Sequence, residues 1–274
     1  METEKMTSEM ASLKDRLRAT WIAGDFGVIA RSIEDGGAEF VERLDLRRGI
    51  KVLDVACGTG NLAIPAAKKG AEVTGIDIAP NLIEQAIQRA AAEGVNADFE
   101  VGDAEALPYP DESYDVVMTM FGAMFAPRPD VTAAELVRVC RTGGTIAMAN
   151  WTPDAFTGQM FRLGAKHVPP PPGMPSPVLW GKEDVVAERL ANRIADLQMH
   201  RQKILFRYPI GPDEVVEQFR QYFGPTVKAF GSLDDAGQEA LRSDLVGLWT
   251  EHNRATDGTT EVESEYLDVR AIRA

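Results

Sequence analysis

Cross-linking and metal chemistry have little to draw on in this sequence. Its 274 residues include two cysteines and three histidines. Cys57 falls in a glycine-rich turn and Cys140 in a helix-like run, with no metal-type spacing between them. Reduced thiols in a cytoplasmic protein are the simplest account. Basic charge is scarce as well: 29 Lys and Arg stand against 42 Asp and Glu, a net charge of −13. That deficit argues against broad contact with a nucleic-acid backbone and gives a poor field for an acidic membrane surface. Acidity of this kind mostly serves solubility. No run approaches the ~18 apolar residues of a spanning helix, so no stable membrane insertion is expected. The opening METEKMTSEM has no apolar core and reads as no secretory signal. What remains is an ordinary globular composition, 45% hydrophobic with 24 glycines. The length suffices for one large domain or a domain with an elaboration.

Hydrophobic patterning divides the chain. Residues 1–12 are polar and expected to fray. Residues 13–45 read as two or three short helices, interrupted at Gly24 and Gly36-Gly37. From Lys51 onward, short apolar runs alternate with helix-like segments. Strands are expected at 51–56, 72–76, 97–101, 114–120 and 145–150, with helices at 62–69, 81–93 and 131–140. Nearly all-apolar strands separated by helices imply a parallel sheet covered on both faces. Residues 151–180 lose this regularity, and the prolines Pro169–Pro172, Pro175 and Pro177 exclude a long helix or a central strand. A helix is expected at 183–195. Strands are expected at 197–207 and 266–273, with about 55 mostly helical residues between them.

The chemistry gathers at strand ends. In VLDVACGTGNLA, residues 52–63, a strand meets a turn with Gly58 and Gly60, and a helix follows. Such a turn brings backbone amides close to a ligand. Residues 58–63 also fit the GxGxxA form of the dinucleotide fingerprint. Asp54 tilts the balance, because a carboxylate beside the turn repels a pyrophosphate. It suits S-adenosylmethionine, which is about +1 and has no phosphate; a helix-capping role is the alternative. Asp77 ends the next strand, 19 residues after Gly58, where an acidic side chain accepts from ribose hydroxyls. Leu82 could cover an adenine face or simply pack in the core. Gly102-Asp103-Ala104 follows the third strand: the Asp103 side chain can accept from the exocyclic amine of adenine and the next amide can donate to the ring. An Asx turn at Asp103 is the bland alternative.

Taken together and in this order, VLDVACGTG, GIDIAPNLIEQA, VGDAEALPYPDESYDVV and RVCRTGGTIAMANW resemble class I S-adenosylmethionine-dependent methyltransferases, particularly the ubiquinone/menaquinone-biosynthesis-type branch. Ala56 stands where many members have a glycine, and Ala79 where a serine is common. The resemblance implies an α/β, Rossmann-like, doubly wound sheet of seven strands, mostly parallel with an antiparallel last strand, plus helical lid segments. It implies a cofactor site of Asp54, Ala56, Gly58, Gly60, Asp77, Ile78, Asp103 and Ala104. Phe121 matches a position that contacts the methionine part. Trp21 resembles an aromatic that folds over the cofactor, although core packing explains it equally well.

These readings give residues 1–45 as a helical cap and 46–150 as the cofactor-binding core. Residues 151–274 complete the sheet and carry lid insertions at about 151–180 and 209–262. Pro169–Pro172 is expected to form a stiff wall of the acceptor pocket. His167 is the best of few candidate bases, and a dedicated base is not required; His200 and His252 read as structural or surface residues. No metal cluster is visible, which disfavours a magnesium-dependent mechanism. The expected activity is methyl transfer to a small, apolar or aromatic molecule, with S-adenosylhomocysteine as product, by a cytoplasmic monomer or homodimer. The alternatives are a nicotinamide-linked oxidoreductase, favoured by GxGxxA and opposed by Asp54, and a non-catalytic S-adenosylmethionine-binding module.

Overall fold

In the computed structural model, residues 7–171 and 173–274 are described. Residues 1–6 of the polar N-terminus, and Pro172 of the proline run, lie outside them. The chain starts with α1 (Ser8–Ile22), α2 (Phe26–Ala30) and α3 (Glu34–Glu42). Helix α1 is ordered earlier than the polar composition of residues 1–12 suggests, because Thr7 caps it by accepting from the Met10 amide at 3.2 Å.

The alternating section follows as β1 (Lys51–Val55), α4 (Ala63–Lys68), β2 (Glu72–Asp77), α5 (Pro80–Ala92), β3 (Asp98–Val101), β4 (Tyr114–Met120), α6 (Pro129–Val139) and β5 (Cys140–Trp151). Strand β1 is buried from Val52 to Val55, as a central parallel strand must be. Helix α5 starts at Pro80 and buries Leu82, Ile83, Ala86 and Ala90 along one stripe. Cys140 belongs to the start of β5, not to the preceding helix: α6 stops at Val139 and Cys140 adopts extended backbone.

Beyond Trp151 come α7 (Phe156–His167), α8 (Glu183–Leu190), β6 (Ile194–Tyr208), α9 (Pro212–Tyr222), α10 (Gly224–Gly231), α11 (Asp235–His252) and β7 (Thr260–Arg273). The expectation that 151–180 holds no long helix needs correction. Apart from Pro153, which precedes the helix, its prolines cluster after residue 168, which leaves twelve residues free to form α7.

The seven strands form one sheet in the order β3-β2-β1-β4-β5-β7-β6. Neighbouring pairs from β3 to β5 are parallel, and β7 is antiparallel to both β5 and β6. The sheet grows outward from β1 in two directions. With right-handed crossovers, as the rule for parallel connections requires, this order puts α4 and α5 on one face and α6 on the other. The strand order reverses between β1 and β4, and a crevice opens at their carboxyl ends, where such sheets bind ligands.

Candidate active site

The turn after β1 is shaped by its backbone. Ala56 sits at φ 56°, Gly58 at 53° and Gly60 at 87°. An alanine in this left-handed region costs roughly 1–2 kcal/mol. The Ala56 departure from the family's glycine is therefore strained as well as small. Gly60 bends the turn and does not line the cavity, whereas Ala56 and Gly58 do.

Asp54 and Asp77 flank this turn, buried at 1% and 8% exposure. Asp54 accepts from the Ala63 amide at 3.0 Å and so caps α4 from the neighbouring strand. Asp77 accepts from the Gly58 amide and from the Ala79 amide, each at 2.9 Å. Both line the cavity. Burial pushes both carboxyls above their ordinary range, against the pull of these amides. Neither has a basic side-chain partner among the described residues. Two buried acids facing one cavity make it favourable for positive charge and hostile to a pyrophosphate. The Cys57 thiol, also in the lining, is pushed up by burial and then by Asp54 and Asp77, so it is no thiolate.

The β3 end lies alongside. Ile78, Leu82, Gly102, Asp103 and Ala104 all line the cavity. Leu82 is also fully packed, at 2% exposure, so it belongs to the core as well as to the cavity lining. Asp103 Oδ1 accepts from the Glu105 amide at 2.9 Å, an Asx turn. Its Oδ2 pairs with Lys14 Nζ at 2.5 Å, and the same ammonium lies 2.6 Å from Glu105 Oε2. Glu105 is held in turn by Arg128 at 2.7 Å. Among the described residues, Lys14 is the one cationic side chain in the lining of the cavity. The sequence reading missed it because a lysine in a polar helical stretch carries no signal of its own. The spacing of Lys14, Leu17 and Trp21 along one helical face was the available clue.

Aromatic residues form the other end. Phe121 follows β4 at φ 61°, an uncommon backbone for a bulky residue, and stacks on Trp151 at 3.6 Å between centroids and 7° between planes. Trp21 of α1 packs edge-on against Phe125 at 5.1 Å and Phe223 at 6.0 Å. Trp21 thus packs and lines the cavity together. Helix α7 adds Thr157, Met160 and Phe161, and Phe206 and Phe219 enter from β6 and α9. Residues from all three segments outside the minimal sheet therefore reach one cavity, around the β1 turn.

The structure does not bring His167 there. It ends α7, with Nε2 2.8 Å from Asp244 Oδ2 in α11, and is absent from the cavity lining. Asp244 is held below its ordinary range by His167 first and Lys166 next. This is an inter-helix tie. The described prolines Pro169, Pro170 and Pro171 are exposed and do not line the cavity, so the proline wall is corrected to a surface connection. Phe156, Trp180, Tyr208, Tyr222 and Phe230 pack outside the lining. Among the described residues no group of three or more potential ligands is placed to hold a metal.

A family model described as a methyltransferase domain matches residues 52–144, the span from β1 into β5. An uncharacterized protein of Mycobacterium tuberculosis is 39% identical over 265 residues, 95% of each chain. The demethylmenaquinone methyltransferase of Deinococcus radiodurans is 40% identical over 126 residues, 44% of this chain and 52% of its own. Among solved structures, a Bacillus protein, YcgJ, superposes with a TM-score of 0.59 at 18% identity, covering 87% of this chain and 98% of its own. The sheet order, the strained glycine turn between two buried acids and these relationships agree: the chain belongs to the class I S-adenosylmethionine-dependent methyltransferases.

Proposed function

We propose that this cavity holds S-adenosylmethionine along the β1 and β2 ends and takes a small apolar or aromatic methyl acceptor at its aromatic end. The observation that carries the reading is the division of the lining. Buried, cation-free Asp54 and Asp77 stand at one end, and Phe125, Met160, Phe161, Phe206, Phe219 and Phe223 at the other.

When bound, the cofactor supplies a methyl group already activated by its sulfonium. Everything else falls to the chain. Asp77 keeps unused lone pairs beyond its two amide bonds, enough to accept from ribose hydroxyls. Asp103 and the Ala104 amide address adenine. Ala56 and Gly58 let the backbone approach closely, Gly60 bends the turn behind them, and Ile78 and Leu82 give the adenosine an apolar bed. Phe121 and Trp21 close over the methionine part. Residues 1–45 act as a cap on the 46–150 core, and the insertions in 151–274 exclude water and define the acceptor's shape. Positioning of this kind can supply about 7–11 kcal/mol in favourable cases. With His167 tied to Asp244, no histidine in the lining serves as a base, and an acceptor whose own nucleophile is reactive fits best. The acidic composition suits a cytoplasmic monomer or homodimer that engages no nucleic acid, and among the described residues no helix is long and apolar enough to cross a membrane.

The test is turnover. With S-adenosylmethionine and a panel of neutral phenols, hydroxyquinones, amines and carboxylic acids, formation of S-adenosylhomocysteine is read by mass spectrometry. Turnover concentrated in the neutral aromatic members supports the reading. Turnover confined to charged aliphatic acceptors contradicts it. Tight cofactor binding without any turnover points to a binding module.

A further inference from the structure

Two hydroxyls beside the aromatic end do not balance their protons within the protein. Thr157 lies in the first turn of α7 and Ser264 in β7, and both are 1% exposed. The Thr157 amide donates to Ser264 Oγ at 3.1 Å, and Thr157 Oγ1 stands 2.9 Å from that same oxygen. Neither hydroxyl has another partner among the described residues. The two side chains carry two protons, and the link between them consumes one. The other has no acceptor in the protein, and a buried hydroxyl proton left in this way is costly.

The direction of the link follows from the amide. If Thr157 donates, Ser264 Oγ accepts two bonds and its own proton is stranded, since Ser264 does not line the cavity. If Ser264 donates, it accepts one bond and gives one, and the Thr157 proton is left free. Thr157 does line the cavity. Among Met160, Phe161, Phe206 and Phe219, which share the lining, the weak thioether of Met160 is the one side-chain acceptor. The indoles of Trp21 and Trp151 are donors only. This end of the cavity is therefore rich in donors, poor in acceptors and free of ionisable side chains from α7, β6 and α9.

We propose that Thr157 is a specificity-determining contact for the methyl acceptor: its hydroxyl, oriented by Ser264, donates to an oxygen of a neutral, ring-bearing molecule. Ser264 is the positioning residue. The inference rests on the acceptor site argued above and narrows it from apolar molecules in general to oxygenated ones.

A matched pair of probes tests it. Methyl naphthyl ketone and isopropylnaphthalene have nearly the same shape, and the ketone alone accepts a hydrogen bond there. Equilibrium dialysis against the full-length protein saturated with S-adenosylhomocysteine gives the affinity ratio of the two. The wild type prefers the ketone, and Thr157→Val lowers that preference roughly five- to tenfold, while Thr157→Ser restores it. Affinity for S-adenosylhomocysteine stays at the wild-type value in Thr157→Ser, and the melting temperature falls only by what one buried methyl contributes. Should Thr157→Val fail to fold, Thr157→Ala is read in the same way. Equal affinity for both probes in the wild type, no binding of either, or a preference that survives removal of the hydroxyl overturns the proposal. Failure of S-adenosylhomocysteine itself to bind would instead sink the reading on which it rests.

Discussion

Lys14 in α1 and Asp103 after β3 form an ion pair of 2.5 Å, 89 residues apart in sequence, which fastens the N-terminal helix to the β3 end of the cavity. Glu105, with its side chain fully buried, holds the same ammonium at 2.6 Å and is itself backed by Arg128. The arrangement joins α1 and the loop after β3 through one side chain.

Replacing Lys14 by Met keeps the aliphatic stem and removes the charge. Glu105 retains Arg128, so the loss of stability is expected at about 1–3 kcal/mol, below that of an uncompensated buried charge. Helix α1 should then release more readily. Limited proteolysis should show faster cleavage within residues 8–42 in Lys14→Met, and S-adenosylhomocysteine should slow it in the wild type. Identical cleavage with and without ligand, in both proteins, would mean that α1 is no cap.

Asp77→Ala removes the acceptor expected for the ribose hydroxyls. Affinity for S-adenosylhomocysteine should fall by roughly 1.5–3 kcal/mol. Asp77 also holds the Gly58 and Ala79 amides, so a lower melting temperature is expected as well. Calorimetric binding at a temperature where the variant is folded separates the two effects. Wild-type affinity there would remove Asp77 from the cofactor site.

Ala56→Gly relieves the left-handed backbone at φ 56°. The folded state gains roughly 1–2 kcal/mol of relief, offset in part by the greater freedom of glycine in the unfolded chain. A net gain of about 0.5–1 kcal/mol is expected by denaturant unfolding, with cofactor affinity unchanged. A destabilised variant would show that the Ala56 methyl contributes packing that outweighs its strain.

How much of this was legible in the sequence follows from the range of the interactions concerned. Strand and helix positions around the β1 turn came from local patterning, and Tyr114–Met120 matched to the residue. Helix α7 was obscured because proline density was averaged over 151–180, although a proline acts only on its own turn and on the residue before it. Asp54, Asp77 and Asp103 were readable because each ends or follows a strand, where a side chain meets the crevice. The pairings of Lys14, Thr157 and Ser264 were not readable, since the partners lie 89 and 107 residues apart; only the face that Lys14 shares with Trp21 was open to local patterning. His167 looked available for the converse reason, since its partner Asp244 is 77 residues further on.

The raised carboxyls predict a pH signature. Burial lifts Asp54 and Asp77 above the ordinary carboxylate range, so they take up protons more readily in the ligand-free protein. A bound cation favours their ionised forms and lowers them again. Affinity for S-adenosylmethionine should therefore rise with pH from the ordinary carboxylate range through the raised values. S-adenosylhomocysteine lacks the sulfonium and should respond less. The ligand-free protein should show the opposite trend in stability, losing it as pH rises through the same window, because the native state there binds more protons than the unfolded chain. Competition binding of the two ligands across that range checks the first statement, and a constant affinity ratio would contradict it.

The most direct measurement of the whole account is isothermal titration of the purified protein with S-adenosylhomocysteine and, separately, with NAD. The division between buried acids and aromatic lining predicts one S-adenosylhomocysteine bound per chain and no detectable heat of binding for NAD. Tight binding of NAD, with none of S-adenosylhomocysteine, would contradict it.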